Sequence, residues 1–192
     1  MSRPDLYTPG SPYHVARRWT HPHSLRCLET ACEVLGRPAS LLDVGCAEGV
    51  HVGWALAHEI AAMGIDLAVP EGIDVLVRAD LRAPVDLKRR FDWVICWEVA
   101  EHLDAEYAET LVETLVRHMD PLGRILFTAA GPGQRGPGHI HCAEPSFWRG
   151  LFRAHGLTYA DALSSELRRR WLRCSPRTPW YGSNAMVFWR AA

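Results

Sequence analysis

The sequence predicts an α/β domain, a seven-stranded, mostly parallel sheet with an antiparallel last strand and helices on both faces. Short apolar runs of strand length alternate with helix-length amphipathic segments, the order that builds a parallel sheet. Three successive strand-like runs end in an acid or in glycine, at Asp43-Val44-Gly45, Gly64-Ile65-Asp66 and Ala79-Asp80. In open α/β sheets ligands bind beyond the carboxyl ends of the strands, so acids there mark a site. The chain has 192 residues, 48% hydrophobic and 22% charged, which is enough for one full core without staples.

Residues 1–23 carry Pro4, Pro9, Pro12 and Pro22, which make a long regular element unfavourable and point to an N-terminal arm. Tyr7, Tyr13, His14 and Trp19 are unusual for a solvated tail and support a second reading, a lid over the substrate. Residues 24–192 read as a single domain. Leu25, Leu28, Ala31, Cys32 and Leu35 recur at helical spacing, and Gly36 ends that helix. The first strand runs through Leu41-Leu42-Asp43-Val44, and a helix follows from Val50 to about His58. Residues 60–66 form the second strand. The stretch 68–73, with Pro70 and Gly72, is too short for the crossover helix expected between parallel strands.

Residues 74–81 give a third strand and 91–96 a fourth, buried and β-rich. The next helix reaches about Met119 with Leu111, Leu115 and Val116 inward, and Pro121-Leu122-Gly123 turns into a fifth strand over 124–129. A glycine-rich loop, 131–144, holds His139 and His141. Pro145 suits a first helical turn whose apolar face is Phe147, Trp148, Leu151 and Phe152. Residues 157–163 and 185–189 close the sheet as an antiparallel pair. Between them lies Arg168-Arg169-Arg170-Trp171-Leu172-Arg173, a solvated face or a grip on an anionic group.

The segment Asp43-Val44-Gly45-Cys46-Ala47-Glu48-Gly49, after a strand and before a helix, is a nucleotide-type binding loop. Gly45 and Gly49 allow torsions and close approach that a Cβ forbids. The G-x-G-x-x-G spacing of a dinucleotide pyrophosphate cradle is missing. Asp66, roughly 20 residues beyond the loop, stands where such folds put a carboxylate to accept both ribose hydroxyls. Asp43-x-Gly45-x-Ala47-x-Gly49 resembles motif I of the class I S-adenosylmethionine (SAM)-dependent methyltransferases, acid-x-Gly-x-Gly-x-Gly, with a departure at Ala47. The resemblance covers residues 40–189 and implies a Rossmann-like fold, SAM as cofactor and S-adenosylhomocysteine (SAH) as product. It implies cofactor contacts at Asp43, Gly45, Cys46, Ala47, Gly49, Asp66, Leu67, Asp80, Leu81 and Trp97, with Asp80 and the following amide on the adenine. In the family the N-terminal segment often covers the cofactor.

Methyl transfer from a sulfonium is an in-line displacement, so the protein must align the acceptor and strip water from it. An oxygen or protonated nitrogen acceptor also needs a base, most often His or a carboxylate. Glu98, Glu101 and His102 follow the fourth strand, and His139 and His141 follow the fifth. Glu98, His102, His139 and His141 are therefore the candidate catalytic residues. Plainer readings stand beside them: acids stabilise helix starts, and His102 can pack behind the loop. Glu98-x-x-Glu101-His102 with a later histidine resembles the metal site of small-RNA 3′-end methyltransferases and, in part, of ubiquinone-pathway O-methyltransferases. That resemblance implies a divalent cation (Mg²⁺, Mn²⁺ or Fe²⁺) gripping substrate hydroxyls. Trp180-Tyr181 is a candidate wall for the acceptor pocket.

Charge and composition narrow the partners. With 21 basic and 22 acidic residues the net charge is -1, which disfavours a nucleic-acid binder and leaves the arginine run as the one basic stretch. Six scattered cysteines form no C-x-x-C pair, so neither a zinc motif nor a disulfide framework is expected. No signal-peptide pattern and no run of about 20 apolar residues is present, and a cytoplasmic location is expected. The reading is a SAM-dependent methyltransferase acting on oxygen or nitrogen of a small molecule, a metabolite, glycan precursor or natural product. Two alternatives stand: an RNA 3′-terminal methyltransferase using a divalent metal, and a non-catalytic SAM-binding protein of this fold, favoured by Ala47 and the short crossover.

Overall fold

The computed structural model describes residues 8–191. Seven strands form one sheet: β1 (Ser40–Val44), β2 (Ala61–Asp66), β3 (Leu76–Arg78), β4 (Phe91–Trp97), β5 (Met119–Thr128), β6 (Thr158–Tyr159) and β7 (Met186–Trp189). Their order is β3-β2-β1-β4-β5-β7-β6. β1 pairs in parallel with β2 on one side and β4 on the other, β2 with β3, and β4 with β5. β7 runs antiparallel to both β5 and β6. The chain changes direction of winding between β1 and β4, which opens a crevice at the carboxyl ends of these strands.

Alternation along the central strands feeds two cores. Leu42, Val44, Val94, Cys96, Ile125 and Phe127 face one side. There they meet Leu111 and Leu115 of α4 (Ala108–His118) and Trp148 and Phe152 of α5 (Pro145–Ala154). Leu41, Trp93, Ile95 and Leu126 face the other. They pack on Cys27 and Leu28 of α2 (His21–Leu35), Val52 of α3 (Val50–Ala57), and Leu167 and Trp171 of α6 (Asp161–Cys174). Neighbouring residues of one strand therefore serve opposite cores, as a period of two requires.

Several expectations change. The third strand is confined to 76–78, and the fifth begins at Met119, so Pro121-Leu122-Gly123 lies within it instead of turning into it. The N-terminal region is helical from Pro12: α1 (Pro12–Arg17) runs through a 3-10 turn (Arg18–Thr20) into α2. Pro12 and Pro22 both occupy first-turn positions, where the missing N–H costs nothing. Pro4 and Tyr7 lie outside the described residues. β6 is two residues long, and 161–163 open α6 instead of extending it. Leu163, Leu167 and Trp171 recur every four residues, so the helical period wins there. Pro179 opens a further short helix, α7 (Pro179–Asn184). The short crossover holds: no helix joins β2 to β3, and Asp80 lies two residues past the end of β3.

Candidate active site

The loop after β1 is shaped by three left-handed residues, Gly45 (φ 87), Ala47 (φ 47) and Gly49 (φ 80). The amides of Gly45 and Cys46 both donate to the Ile65 carbonyl, at 2.8 and 3.2 Å. A Cβ at Gly45 would stand 2.2 Å from Val99 Cγ2, so only bare backbone fits there. Ala47 occupies a conformation that costs an L-residue about 1–2 kcal/mol. Its amide donates to Asp66 Oδ2 at 2.9 Å, a charge-assisted bond that holds it in place.

Asp43, Gly45, Cys46, Ala47, Asp66, Leu67, Asp80, Leu81 and Trp97 line one cleft at these strand ends. Gly49 does not line it but caps α3 behind it. Asp66 accepts the Ala47 amide on one oxygen and the Ala68 amide on the other, at 2.8 Å. Burial raises its pKa, and these two amides pull it back. Asp80 is gripped by Arg82, which holds its carboxyl below the usual range. Arg18 forks onto Glu48 of the glycine loop at 3.0 and 2.7 Å, tying the N-terminal helices across it.

Sequence reasoning missed one buried chain. Asp43 Oδ2 lies 3.0 Å from His51 Nδ1, and His51 Nε2 lies 2.9 Å from Ser24 Oγ. It joins β1, α3 and α2 under the cleft. Its one sequence signal was a histidine on the inward face of an otherwise apolar helix.

A second group lies past the ends of β4 and β5. Glu98, left-handed at φ 56, donates its amide to the Thr128 carbonyl and hydroxyl. Its carboxylate accepts from Asn184 at 3.0 Å and Gln134 at 3.4 Å. Burial raises its pKa, against the pull of Asn184. Glu101 is fully buried, and neither carboxylate oxygen has a hydrogen-bond partner. Burial, then the neighbouring Glu98, pushes its pKa well up. His102 donates Nδ1–H to the Gly138 carbonyl at 3.1 Å, which leaves Nε2 as an acceptor 3.4 Å from the Tyr13 hydroxyl. Burial lowers its pKa to about 4, so it is a neutral imidazole at pH 7. His139 donates Nδ1–H to the Gln134 carbonyl at 2.9 Å, and its Nε2 is 3.9 Å from Glu101 Oε1. One ligand atom from each of Glu101, His102 and His139 lies within 4.8 Å of the others.

His141 is not brought to this group. Its ring packs on Phe147 and Trp148, 5.4 and 5.5 Å between centroids, and lines neither cavity. The apolar face of α5 draws it away, while its backbone amide and that of Ile140 hold the Glu101 carbonyl at 3.2 and 2.8 Å. The arginine run also lies elsewhere, on α6: Arg169 and Arg170 pair with Glu166, and Arg168 donates to the Ala185 carbonyl.

A second cavity, about 530 Å³, adjoins the first and shares Tyr13, Arg17, Thr20 and Glu98 with it. His102 borders the first cavity and His139 the second, their ring centroids 5.1 Å apart. Trp180 lines the second cavity, whereas Tyr181 lines the first. The larger cavity is not the one at the glycine loop. Chemistry, not size, distinguishes them, because the three strand-end acids all line the smaller.

This sheet order and glycine loop define a class I SAM-dependent methyltransferase fold. Residues 13–162 match the family model described as a methyltransferase domain, and the chain belongs to that family. No curated protein sequence matches it. Among solved structures it resembles DesVI of Streptomyces venezuelae (TM-score 0.66, 16% identity, covering 100% of this chain and 99% of that one). It also resembles the 1,6-didemethyltoxoflavin-N1-methyltransferase of Burkholderia thailandensis, crystallised with 1,6-didemethyltoxoflavin and SAH (0.66, 22%, 97% and 84%). A SAM-dependent methyltransferase from Archaeoglobus fulgidus is a third (0.61, 16%, 92% and 98%). At these identities the likeness is one of fold. Among the described residues no helix is long and apolar enough to cross a membrane.

Proposed function

We propose that this chain moves a methyl group from SAM to an oxygen or nitrogen of a small molecule. The observation that carries the reading is the shared wall: a cleft lined by strand-end acids abuts a second cavity, with two imidazoles between them. The cleft's donor set fits the cofactor. Asp43, Asp66 and Asp80 would repel a phosphate but suit a ligand bearing a sulfonium, an ammonium, two hydroxyls and an adenine amine. Each oxygen of Asp66 accepts one amide and keeps acceptor capacity for a ribose hydroxyl. Asp80 and Leu81 are assigned to the adenine, and the Gly45–Ala47 loop with Trp97 to the methionine end.

The bound cofactor supplies an electrophilic methyl group. His139, on the acceptor side, takes the proton lost by the acceptor at Nε2, which lies 3.9 Å from Glu101 Oε1. His102, neutral at pH 7, orders Tyr13 on the shared wall. Glu98 acts through Asn184 and Gln134, bracing the loop that carries His139. The helices of residues 12–20 serve as the lid, since Tyr13 and Arg17 border both cavities.

A second reading has its own support. Glu101, with two unpartnered oxygens, and the Nε2 lone pairs of His102 and His139 form a carboxylate–imidazole set suited to a divalent transition ion. Such an ion would hold an acceptor hydroxyl. Calorimetric titration with SAM and SAH, with and without Mn²⁺, tests both readings. Micromolar SAH binding lost in Asp66→Ala is expected, and unchanged binding in that variant would refute the cofactor assignment. Turnover that survives exhaustive chelation would dismiss the metal.

A further inference from the structure

The second cavity carries a recognisable donor set. Its 530 Å³ falls within the roughly 300–1,000 Å³ of small-molecule sites. Trp19 and Trp180 line it edge to face, 6.1 Å between centroids, with Tyr13, Pro137 and Pro179 beside them. Trp19 is 53% exposed, and the buried Trp180 indole N–H has no acceptor. Two guanidiniums border the same space. Among the described residues neither Arg17 nor Arg135 has a carboxylate at ion-pair distance. Arg17 lies over the Tyr13 ring at 5.4 Å. The one acid on the lining, Glu98, already has its carboxylate engaged by Asn184 and Gln134. Flat aromatic walls, the guanidiniums of Arg135 and Arg17 and one imidazole acceptor therefore converge on one volume.

We infer that the acceptor is a planar aromatic acid. Its ring lies against Trp19 and Trp180, its anionic group meets Arg135, and its hydroxyl or amino group reaches His139. Aromatic walls bind flat rings at low entropic cost, and arginine forks match carboxylates two bonds at a time. The acceptor heteroatom bonds to the methyl carbon as the carbon–sulfur bond breaks. That bond's electron pair returns to sulfur, and the heteroatom's proton passes to His139 Nε2. The inference rests on the methyl-transfer reading.

The test begins with calorimetric binding of SAH. With SAH saturating, 3-hydroxy-2-naphthoate and 2-naphthol are then titrated into the unmodified protein, Arg135→Ala and Trp180→Ala. The naphthoate is expected to bind at least about tenfold tighter than the naphthol, as a charge-assisted contact implies. Arg135→Ala, at an exposed loop position, should erase that preference and leave naphthol binding unchanged, while Trp180→Ala weakens both. SAH binding with no preference for the naphthoate, or a preference that survives Arg135→Ala, would overturn the aromatic acid and leave the methyltransferase reading intact. Absence of SAH binding would overturn both.

Discussion

Gly45→Ala is the sharpest probe of the glycine loop. At φ +87 the new side chain pays the left-handed penalty of about 1–2 kcal/mol. It also meets Val99 Cγ2 at 2.2 Å and Cγ1 at 2.8 Å, an overpacking that costs about 1–3 kcal/mol. The sum, about 2–5 kcal/mol, is a large share of the roughly 5–15 kcal/mol that holds a domain folded. Val99→Ala removes both Cγ atoms and leaves Val99 Cβ, 3.1 Å away, as the nearest neighbour in that side chain. In a Val99→Ala background the same glycine change should therefore cost only the torsional part, about 1–2 kcal/mol. The coupling energy of the cycle should be about 1–3 kcal/mol. Urea unfolding of the four proteins gives the cycle, and SAH calorimetry follows the cleft that the displaced loop would open. A cost below about 1 kcal/mol for the single change would refute the torsional argument. An equal cost in both backgrounds would show that Val99 does not set the position of the loop.

Ala47→Gly relieves a left-handed alanine, about 1–2 kcal/mol, but adds chain flexibility of about 0.5–1 kcal/mol, for a net gain between zero and about 1.5 kcal/mol. A fall in Tm would mean that the Ala47 methyl packs productively. Gly136→Ala would set a Cβ 2.3 Å from His139 Nε2, so the ring must move. Turnover should drop by at least about tenfold with SAH affinity unchanged, and an unaltered kcat would remove His139 as the base. His102 has its pKa depressed to about 4 from 6.5 by burial, so the folded state binds fewer protons than the unfolded state between those values. Its stabilising share is complete above about pH 6.5 and is lost as pH falls towards 4. His102→Asn should flatten that fall in urea titrations, and an unchanged slope would place the acid sensitivity in other groups.

Periodicity and punctuation are local properties, and they made most of the fold legible. Short apolar runs of strand length marked β1, β2 and β4, the helical spacing of Leu25, Leu28 and Leu35 marked α2, and the absent crossover helix could be read from Pro70 and Gly72. Where two periods competed, as at residues 161–163, the helix won because Leu167 and Trp171, further along, bury on the same face. Acids at strand ends were equally visible, since a parallel sheet brings such ends together whatever lies between them. The sequence by itself thus determined the fold, the family and the cleft at the glycine loop.

Tertiary structure alone decided which side chains share a space. His139 and His141 stand two residues apart in one loop and look equivalent as sequence. The Gly136 backbone lets one ring lie beside Glu101, while the aromatic face of α5 takes the other. Asp43, His51 and Ser24 form a chain only because α2 and α3 pack on the same face of β1. The second cavity likewise draws Trp19, Arg135 and Trp180 from three distant segments. Side chains that meet through space leave no spacing in the sequence, so backbone packing, not composition, settles their company.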